Sequence, residues 1–434
     1  MATILTRSFG EQGNQRKFTI SVWVKRCNLA SYNTIFSSGS GAYATRIYFD
    51  GSTAQLDWWN YFNSAYQGRK TSNARYRDIN GYYHIVCRYD SASSTASERM
   101  RMYINGEQVT SLATSSNPNQ NQTQEVGHTG THYIGGYNNS ADFDGLMSHY
   151  HYCDNYSYAP TEFGETDSTT GEWKIKTSPS VSYGTTGFFI LKDGNSVTDQ
   201  SGLSHNWTVG SGTLTKTEDS PSNVFATMNA LNPLTSAITY SNGNNTVSYP
   251  GAWVFALGNT GVSSGKYYWE AKCNSGNNAN SYFGICAEMV PAGNGFYNNS
   301  QNGAIMYKVG GGETYIDGSY NSSGYSPAIN DTDTVGLALD LDSGTKTLKI
   351  YKNGTLLSSG GTINLSSYYN DTLVFPCFSG NSSSASCSFN VNFGNGTFGT
   401  SSVSSAGTNA SGNGIFEYDV PANHTAISTK GLNL

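Results

Sequence analysis

A chain of 434 residues is too long for one ordinary domain and, at ~150 residues each, divides into two or three. Only 12% of the residues are charged while 13% are aromatic, and the polarity comes from Gly, Ser, Thr, Asn and Tyr; this excludes wholesale disorder and favours short strands over helices. A net charge of −6, with no basic stretch denser than Arg69, Lys70, Arg75 and Arg77, excludes a nucleic-acid face, and no run reaches the ~18 apolar residues of a membrane span.

The opening residues, Met1 to Arg7, contain no apolar signal core, so synthesis and assembly in a cytosol are expected. The first clear pattern is Phe18, Ile20, Val22 and Val24 on one face of a strand, with Thr19, Ser21, Trp23 and Lys25 on the other. Such a strand is partly apolar on both sides, as expected where both faces of a sheet are covered. Asp57-Trp58-Trp59-Asn60-Tyr61-Phe62 follows as the densest aromatic cluster. Alternation returns in 83–90 and 99–104, and Asn105-Gly106 then predicts a type I′ hairpin, whose two central residues both need positive φ.

The stretch 154–222 is rich in Ser, Thr, Gly and Asp, yet it carries Trp173, Phe188 and Trp207, so it reads as ordered chain packed on a sandwich. Further strands are predicted at 267–273, 283–289, 335–341 and 348–350, followed by a second hairpin at Asn353-Gly354 and a strand over 389–393. Residues 396–413 have the composition of the loosest stretch, and Phe416, Tyr418 and Val420 predict a last strand. No segment holds a helical apolar stripe over three turns. The seven cysteines (27, 87, 153, 273, 286, 377 and 387) are widely spaced, odd in number and without a C-x-x-C pair, so buried free thiols are expected.

Several of these motifs resemble known families. Residues 1–155 resemble the laminin-G-like branch of the concanavalin A-like jelly rolls, through Phe18 to Lys25, His84-Ile85-Val86, Tyr103 to Gly106, Ile134-Gly135 and Phe143-Asp144-Gly145-Leu146. Tyr83 stands where that family usually has Trp. Residues 250–395 resemble a SPRY domain, through Gly265 to Glu270, Phe283-Gly284-Ile285, Val335 to Asp340, Ile350 to Gly354 and Phe389 to Gly394. Between them, Phe163-Gly164, Thr170 to Lys174, Tyr183-Gly184, Asp199 to Gly202, Asn206-Trp207 and Ser220 to Thr227 resemble the connector of virion proteins from marine and aquatic tailed phages. In that group the same jelly roll, connector and SPRY domain follow in order. The expectation is therefore an all-β chain of two tandem antiparallel β-sandwiches, a jelly roll at 1–160 and a SPRY-like sandwich at 236–434, joined by an ordered connector at 161–235.

The resemblance implies a structural role on the particle, often in host contact. It also brings in the glycoside hydrolases of the concanavalin A-like folds, whose two carboxylates stand ~5–9 Å apart. The nearest strings, Glu165-Thr166-Asp167 and Glu417-Tyr418-Asp419, lack the second Glu those enzymes carry. No phosphate loop is present, since Gly310-Gly311-Gly312 is not followed by Lys-Ser/Thr. No enzymatic activity is expected.

Candidate binding residues are Trp58, Trp59, Asn60 and Tyr61, because sugars stack on exposed rings while Asn fixes hydroxyls. Adjacent Trp residues on a strand point to opposite faces, so at least one can leave the core; both rings could equally be core, or form a subunit contact. Asp142 and Asp144 could hold calcium, as loop carboxylates do in some laminin-G-like domains, although Asp144 could simply cap its turn. His149, His151 and Cys153 would share one face of a regular strand, a weaker zinc pattern. No other cofactor is expected.

Two roles fit. One is a virion-surface protein of the tail-fibre or receptor-binding type, with host-surface glycan and other virion proteins as partners. The other is a capsid decoration or architectural subunit that binds only its virion neighbours, favoured because the jelly roll begins almost at residue 1 without a separate docking domain. Either way a homo-oligomer is expected, assembled in the host cytoplasm, with no nucleic-acid partner and no membrane insertion.

Overall fold

The structure, a computed structural model, describes residues 3–137, 141–192, 196–231, 238–249, 254–274, 281–287, 303–368, 372–380 and 387–433. Two compact units are present, one of residues 1–216 with 220–222, the other of 217–219 with 223–434. Among the described residues helix is confined to short 3₁₀ turns, and every ladder between named strands is antiparallel.

In the first unit an eight-stranded sheet runs β10 (Leu112–Ser116), β6 (Ala65–Arg75), β5 (Gln55–Phe62), β4 (Tyr43–Phe49), β3 (Asn33–Ser40), β11 (Thr131–Ile134), β1 (Ile4–Ser8) and β16 (Thr208–Ser211). A six-stranded sheet runs β15 (Phe188–Ile190), β12 (Gly145–Asp154), β2 (Lys17–Arg26), β7 (Tyr83–Asp90), β8 (Met100–Ile104) and β9 (Glu107–Gln108). Alternation decides which side chains meet between them: Phe18, Ile20, Val22 and Val24 of β2 join Ile47, Trp58, Ile85 and Tyr89 in one core. Up to residue 216, the segment expected as a connector is built into this unit. Its β15 adds to β12 and its β16 to β1, while Trp207 packs edge-on against Phe188 at 4.9 Å. The boundary expected at 235/236 lies outside the described residues.

The outer face of the six-stranded sheet is also buried. Phe163 and Tyr183 of the following chain lie on Val86, Tyr103 and Cys153. Trp173, in the ribbon of β13 (Gly164–Thr166) and β14 (Trp173–Ile175), stacks on His84, which stacks in turn on Trp23. Trp173 Nε1–H donates to His84 Nδ1 at 3.0 Å, so that nitrogen is bare and His84 Nε2–H donates to Ser21 Oγ at 2.8 Å. The ring is thereby fixed as one neutral tautomer. Burial pulls its pKa down to about 3. His132 and His151, equally buried, are lowered for the same reason.

In the second unit one sheet runs β17 (Thr239–Ser241), β18 (Thr246–Tyr249), β30 (Cys387–Asn392), β20 (Lys266–Cys273), β25 (Thr334–Asp340), β26 (Thr347–Lys352) and β27 (Thr355–Leu356), with β28 (Thr362–Asn364) also on β26. The other runs β19 (Val254–Leu257), β29 (Phe375–Gly380), β21 (Ser281–Cys286), β22 (Ile305–Lys308), β23 (Thr314–Ile316) and β24 (Ser319–Asn321). β21 ends at Cys286, and Met289 of the predicted strand lies outside the described residues. Trp269, Phe283, Leu337, Ile350 and Phe389 meet in the core. All seven cysteines are buried free thiols.

Both Asn-Gly hairpins form as two-residue loops with positive φ, 48° and 85° at Asn105-Gly106, 46° and 78° at Asn353-Gly354. Each asparagine does a second job: its side-chain oxygen accepts a backbone N–H of the neighbouring strand, from His84 in one unit and Thr334 in the other, both at 2.8 Å.

Two expectations fail near the C-terminus. Phe416 to Val420 is not a strand, because its backbone donors are taken by a side chain: the buried carboxylate of Glu270 accepts the N–H groups of Glu417 at 2.8 Å and Tyr418 at 2.9 Å. Burial pushes the Glu270 carboxyl up to about 7. Residues 396–413 are not loose either. They contain the small ribbon of β31 (Thr397–Phe398) and β32 (Ser401–Ser402), and Asn409 and Asn413 tie the chain to Gly414, Thr425 and Ser428.

Two predictions follow from these buried polar groups. Replacing Glu270 by Ala strands two backbone donors, and should cost the second unit about 2–4 kcal/mol in a denaturant titration. His84 is neutral in the fold but titrates near its ordinary value when unfolded, so its contribution is full above that value and is lost as pH falls from there toward 3. Between pH 6.5 and 4.5 the native chain should therefore lose about 2–3 kcal/mol more stability than His84→Gln, which is weaker at neutral pH but lacks this titration. Parallel pH dependences of the two proteins would refute the assignment.

Candidate functional site

The outer face of the eight-stranded sheet carries a different population of side chains. On β5 the alternation turns Leu56, Trp58 and Asn60 inward and Asp57, Trp59 and Tyr61 outward. Beside Trp59 stand its cross-strand partners Arg46 on β4 and Arg69 on β6; beside Asp57 stand Tyr48 and Thr71. A tight turn with positive φ at Asn63 and Ser64 joins β5 to β6 and brings Tyr66 opposite Tyr61.

The rings of Tyr61, Tyr66 and Tyr137 all meet Trp59 edge to face, with centroids 6.1–6.3 Å away. Tyr66 is 52% exposed and Trp59 and Tyr61 are half-buried, so the cluster is open to solvent. Asp57 receives both Nε and Nη2 of Arg69, the latter at 2.6 Å, and the Thr71 hydroxyl at 2.9 Å. This pairing holds the Arg69 guanidinium well above its ordinary value. Arg46 donates Nε and Nη2 to Thr34 Oγ1 at 3.1 and 2.7 Å, and its guanidinium lies over the rings of Tyr48, Tyr137 and Tyr32. Burial lowers its pKa, while burial pushes the Tyr48 hydroxyl up to about 12.

Of the four candidate binding residues, the structure brings Trp59 and Tyr61 to this face and removes the other two. Trp58 is 0% exposed, packed against Phe18 and Tyr89 in the core, and cannot stack on a ligand. Asn60 is buried too, donating to the Thr123 carbonyl at 3.0 Å and accepting from Thr45. The reason is the period of the strand: four consecutive residues never share a face. Sequence reasoning missed Arg46, Tyr48 and Tyr66. The signal was the same alternation read across neighbouring strands, Arg46 and Tyr48 being two apart on β4.

Asp142 and Asp144 lie in the turn before β12. Asp144 is built into it: its N–H donates to Asn33 Oδ1, its carbonyl accepts from Cys27, and burial raises its carboxyl pKa while Asn28 hydrogen-bonds to it. Asp142 Oδ1 is buried without a hydrogen-bond donor among the described residues, so a cation here would find one needy oxygen in Asp142 and a second carboxylate already engaged by Asn28. The soft-ligand face fails for a local reason. A β-bulge between Ser148 and His151, with φ 49° at His149, breaks the alternation. His149 meets Ser148 Oγ, whereas His151 meets the Tyr183 hydroxyl and stacks on Phe189. Among the strings weighed for hydrolysis, Glu165 and Asp167 pair with Lys174, and Glu417 pairs with Lys272.

Residues 4–156 match the model of the concanavalin A-like lectin/glucanases superfamily, and residues 266–396 match that of the SPRY domain. The chain is a laminin-G-like jelly roll followed by a SPRY domain. Similar solved structures are the SPRY domain of human HERC1 (18% identity, 38% of this chain and 96% of that one, TM-score 0.32) and the PSpry domain of TRIM65 (15%, 38% and 91%, 0.29). A heptameric SAP-like pentraxin from Limulus polyphemus is also similar (16%, 36% and 72%, 0.26). No curated protein matches. In this jelly roll the open face of β4, β5 and β6 is where rings, an ion pair and a second arginine converge.

The two tryptophans should separate cleanly in thermal melts. Trp58→Ala empties a core position of the jelly roll and should cost about 3–5 kcal/mol. Trp59→Ala removes a half-exposed ring and should cost about 1 kcal/mol or less. Equal losses would mean that the outer face is not open.

Proposed function

We propose that this chain is a non-enzymatic surface protein of a tailed-phage virion, of the tail-fibre or receptor-binding type, which holds host-surface glycan on the Trp59 face of its jelly roll. The single observation that carries the binding half is the outward cluster of Trp59, Tyr61 and Tyr66 around the Asp57–Arg69 pair. Rings of this kind give sugars an apolar platform, and fixed polar groups beside them orient hydroxyls. Laminin-G-like and SPRY domains serve in general as protein- or glycan-binding modules, which supports binding over turnover. The virion half rests on the order of jelly roll, connector motifs and SPRY domain along the chain. As a virion protein it would act as a homo-oligomer among other virion proteins.

The same aromatic face also suits a subunit contact, since Trp and Tyr are enriched in interfaces, and this keeps the architectural role as a second reading. One variant distinguishes them. Trp59→Ala should weaken adsorption to host cells or isolated host glycan by roughly 1–3 kcal/mol, with incorporation into particles unchanged. Reduced incorporation with normal folding and normal glycan affinity would favour the architectural role. Antibody labelling of intact particles gives the location directly, at the tail tip for the first role and over the capsid for the second.

A further inference from the structure

The open face carries a cation, Arg46, with which no carboxylate forms an ion pair among the described residues, Asp57 acting on it only through space. Asp57 is an acidic group of this face, and its oxygens are spent on Arg69 and the Thr71 hydroxyl. Asp50, in the turn after β4, accepts from Ser52 and Thr53 through Oδ1 and forms no ion pair with Arg46 among the described residues. Arg46 makes no ion pair among the described residues. Its Nε and Nη2 share one neutral acceptor, Thr34 Oγ1, and Nη1 has no hydrogen-bond acceptor among the described residues. The surrounding groups are neutral phenols, the Tyr48 ring 4.2 Å from the guanidinium carbon, Tyr137 5.1 Å and Tyr32 5.4 Å. These rings hold the guanidinium in place and leave its charge unpaired, while arginine stays protonated at any pH of use.

The position of this charge matters as much as its sign. Arg46 and Trp59 are directly paired across β4 and β5, so they stand side by side on one face, roughly 5 Å apart at Cβ. A sugar lying on Trp59 and Tyr61 would bring the substituent of its own ring, or of the next, over Arg46. A neutral hydroxyl there would leave a half-buried cation without a counter-charge. A carboxylate or sulfate would supply one, through the charge-assisted hydrogen bonds for which a guanidinium is shaped.

We infer that the ligand of this face is an acidic saccharide, bearing uronate or sulfate, whose anionic group is received by Arg46 while the adjoining sugar ring lies on Trp59 and Tyr61. The inference rests on the reading of the Trp59 face as a saccharide site. It makes Arg46 the residue that selects among saccharides and Trp59 the residue that binds them all.

The test uses the full chain and two pairs of polymers, polygalacturonate with its methyl ester and dextran sulfate with dextran, in affinity electrophoresis at low and high salt. The acidic member of at least one pair should bind about ten-fold or more tightly than its neutral twin, and the difference should shrink at high salt. The pair that shows it tells uronate from sulfate. Arg46→Gln should abolish the preference, Arg46→Lys should restore part of it, and Trp59→Ala should weaken acidic and neutral members alike. Should Arg46→Gln not fold, the twin comparison and its salt dependence decide on the native chain. Equal binding of both twins, weakened by Trp59→Ala, would overturn the acidic assignment and leave the saccharide site standing. Binding of none of the four polymers by folded protein would overturn both.

Discussion

An aromatic ring laid on a hairpin glycine closes each unit, and much else depends on it. In the jelly roll the Trp173 ring covers Gly106, where a Cβ would stand 2.7 Å from ring carbons; in the SPRY unit Tyr418 covers Gly354, where it would stand 2.6 Å away. Both glycines also have positive φ, so the residue that makes the turn is the one that admits the ring. The ring anchors a trailing segment over the outer face of a sheet, and that face can then carry groups a solvated sheet would expose. His84 is held by Ser21 and Trp173 in one unit; Glu270 holds the backbone of Glu417 and Tyr418 in the other. Such groups are costly to bury unless every donor and acceptor is met, so segment and polar face stabilise each other or neither is stable.

That reciprocity sets what was legible in the sequence. The strands, the two sandwiches and both Asn-Gly turns could be read from local alternation and turn chemistry, which need only neighbours in sequence. The strand expected at 416–420 could not be corrected that way, because its hydrogen-bond partner is a carboxylate about 150 positions earlier in the chain. For the same reason 396–413 reads as loose although Asn409 and Asn413 pin it. The site was half legible. A density of rings near 57–62 is visible, but grouping four consecutive residues ignored the strand period that sends Trp58 and Asn60 inward. Arg46, Tyr48 and Tyr66 come from other strands, and register alone joins them to Trp59.

The covered face also accounts for where binding chemistry can sit in the jelly roll. The six-stranded sheet has spent its outer face on Phe163, Trp173 and Tyr183, and the His84 and His151 rings there already have partners. On the opposite sheet, rings and cations at β4, β5 and β6 meet one another and their neighbours Thr34, Tyr32 and Tyr137, and stay partly open to solvent. Within that group the charges do not cancel. Arg69 and Asp57 form a pair with two nitrogens of one engaging the other, whereas Arg46 rests on neutral phenols and a threonine hydroxyl. In a chain with 12% charged residues, one unpaired cation among rings is a strong local asymmetry, and its effect is greatest where burial has already stripped away part of its water. The rings supply area that any saccharide can use, and the unpaired guanidinium supplies the difference between one saccharide and another.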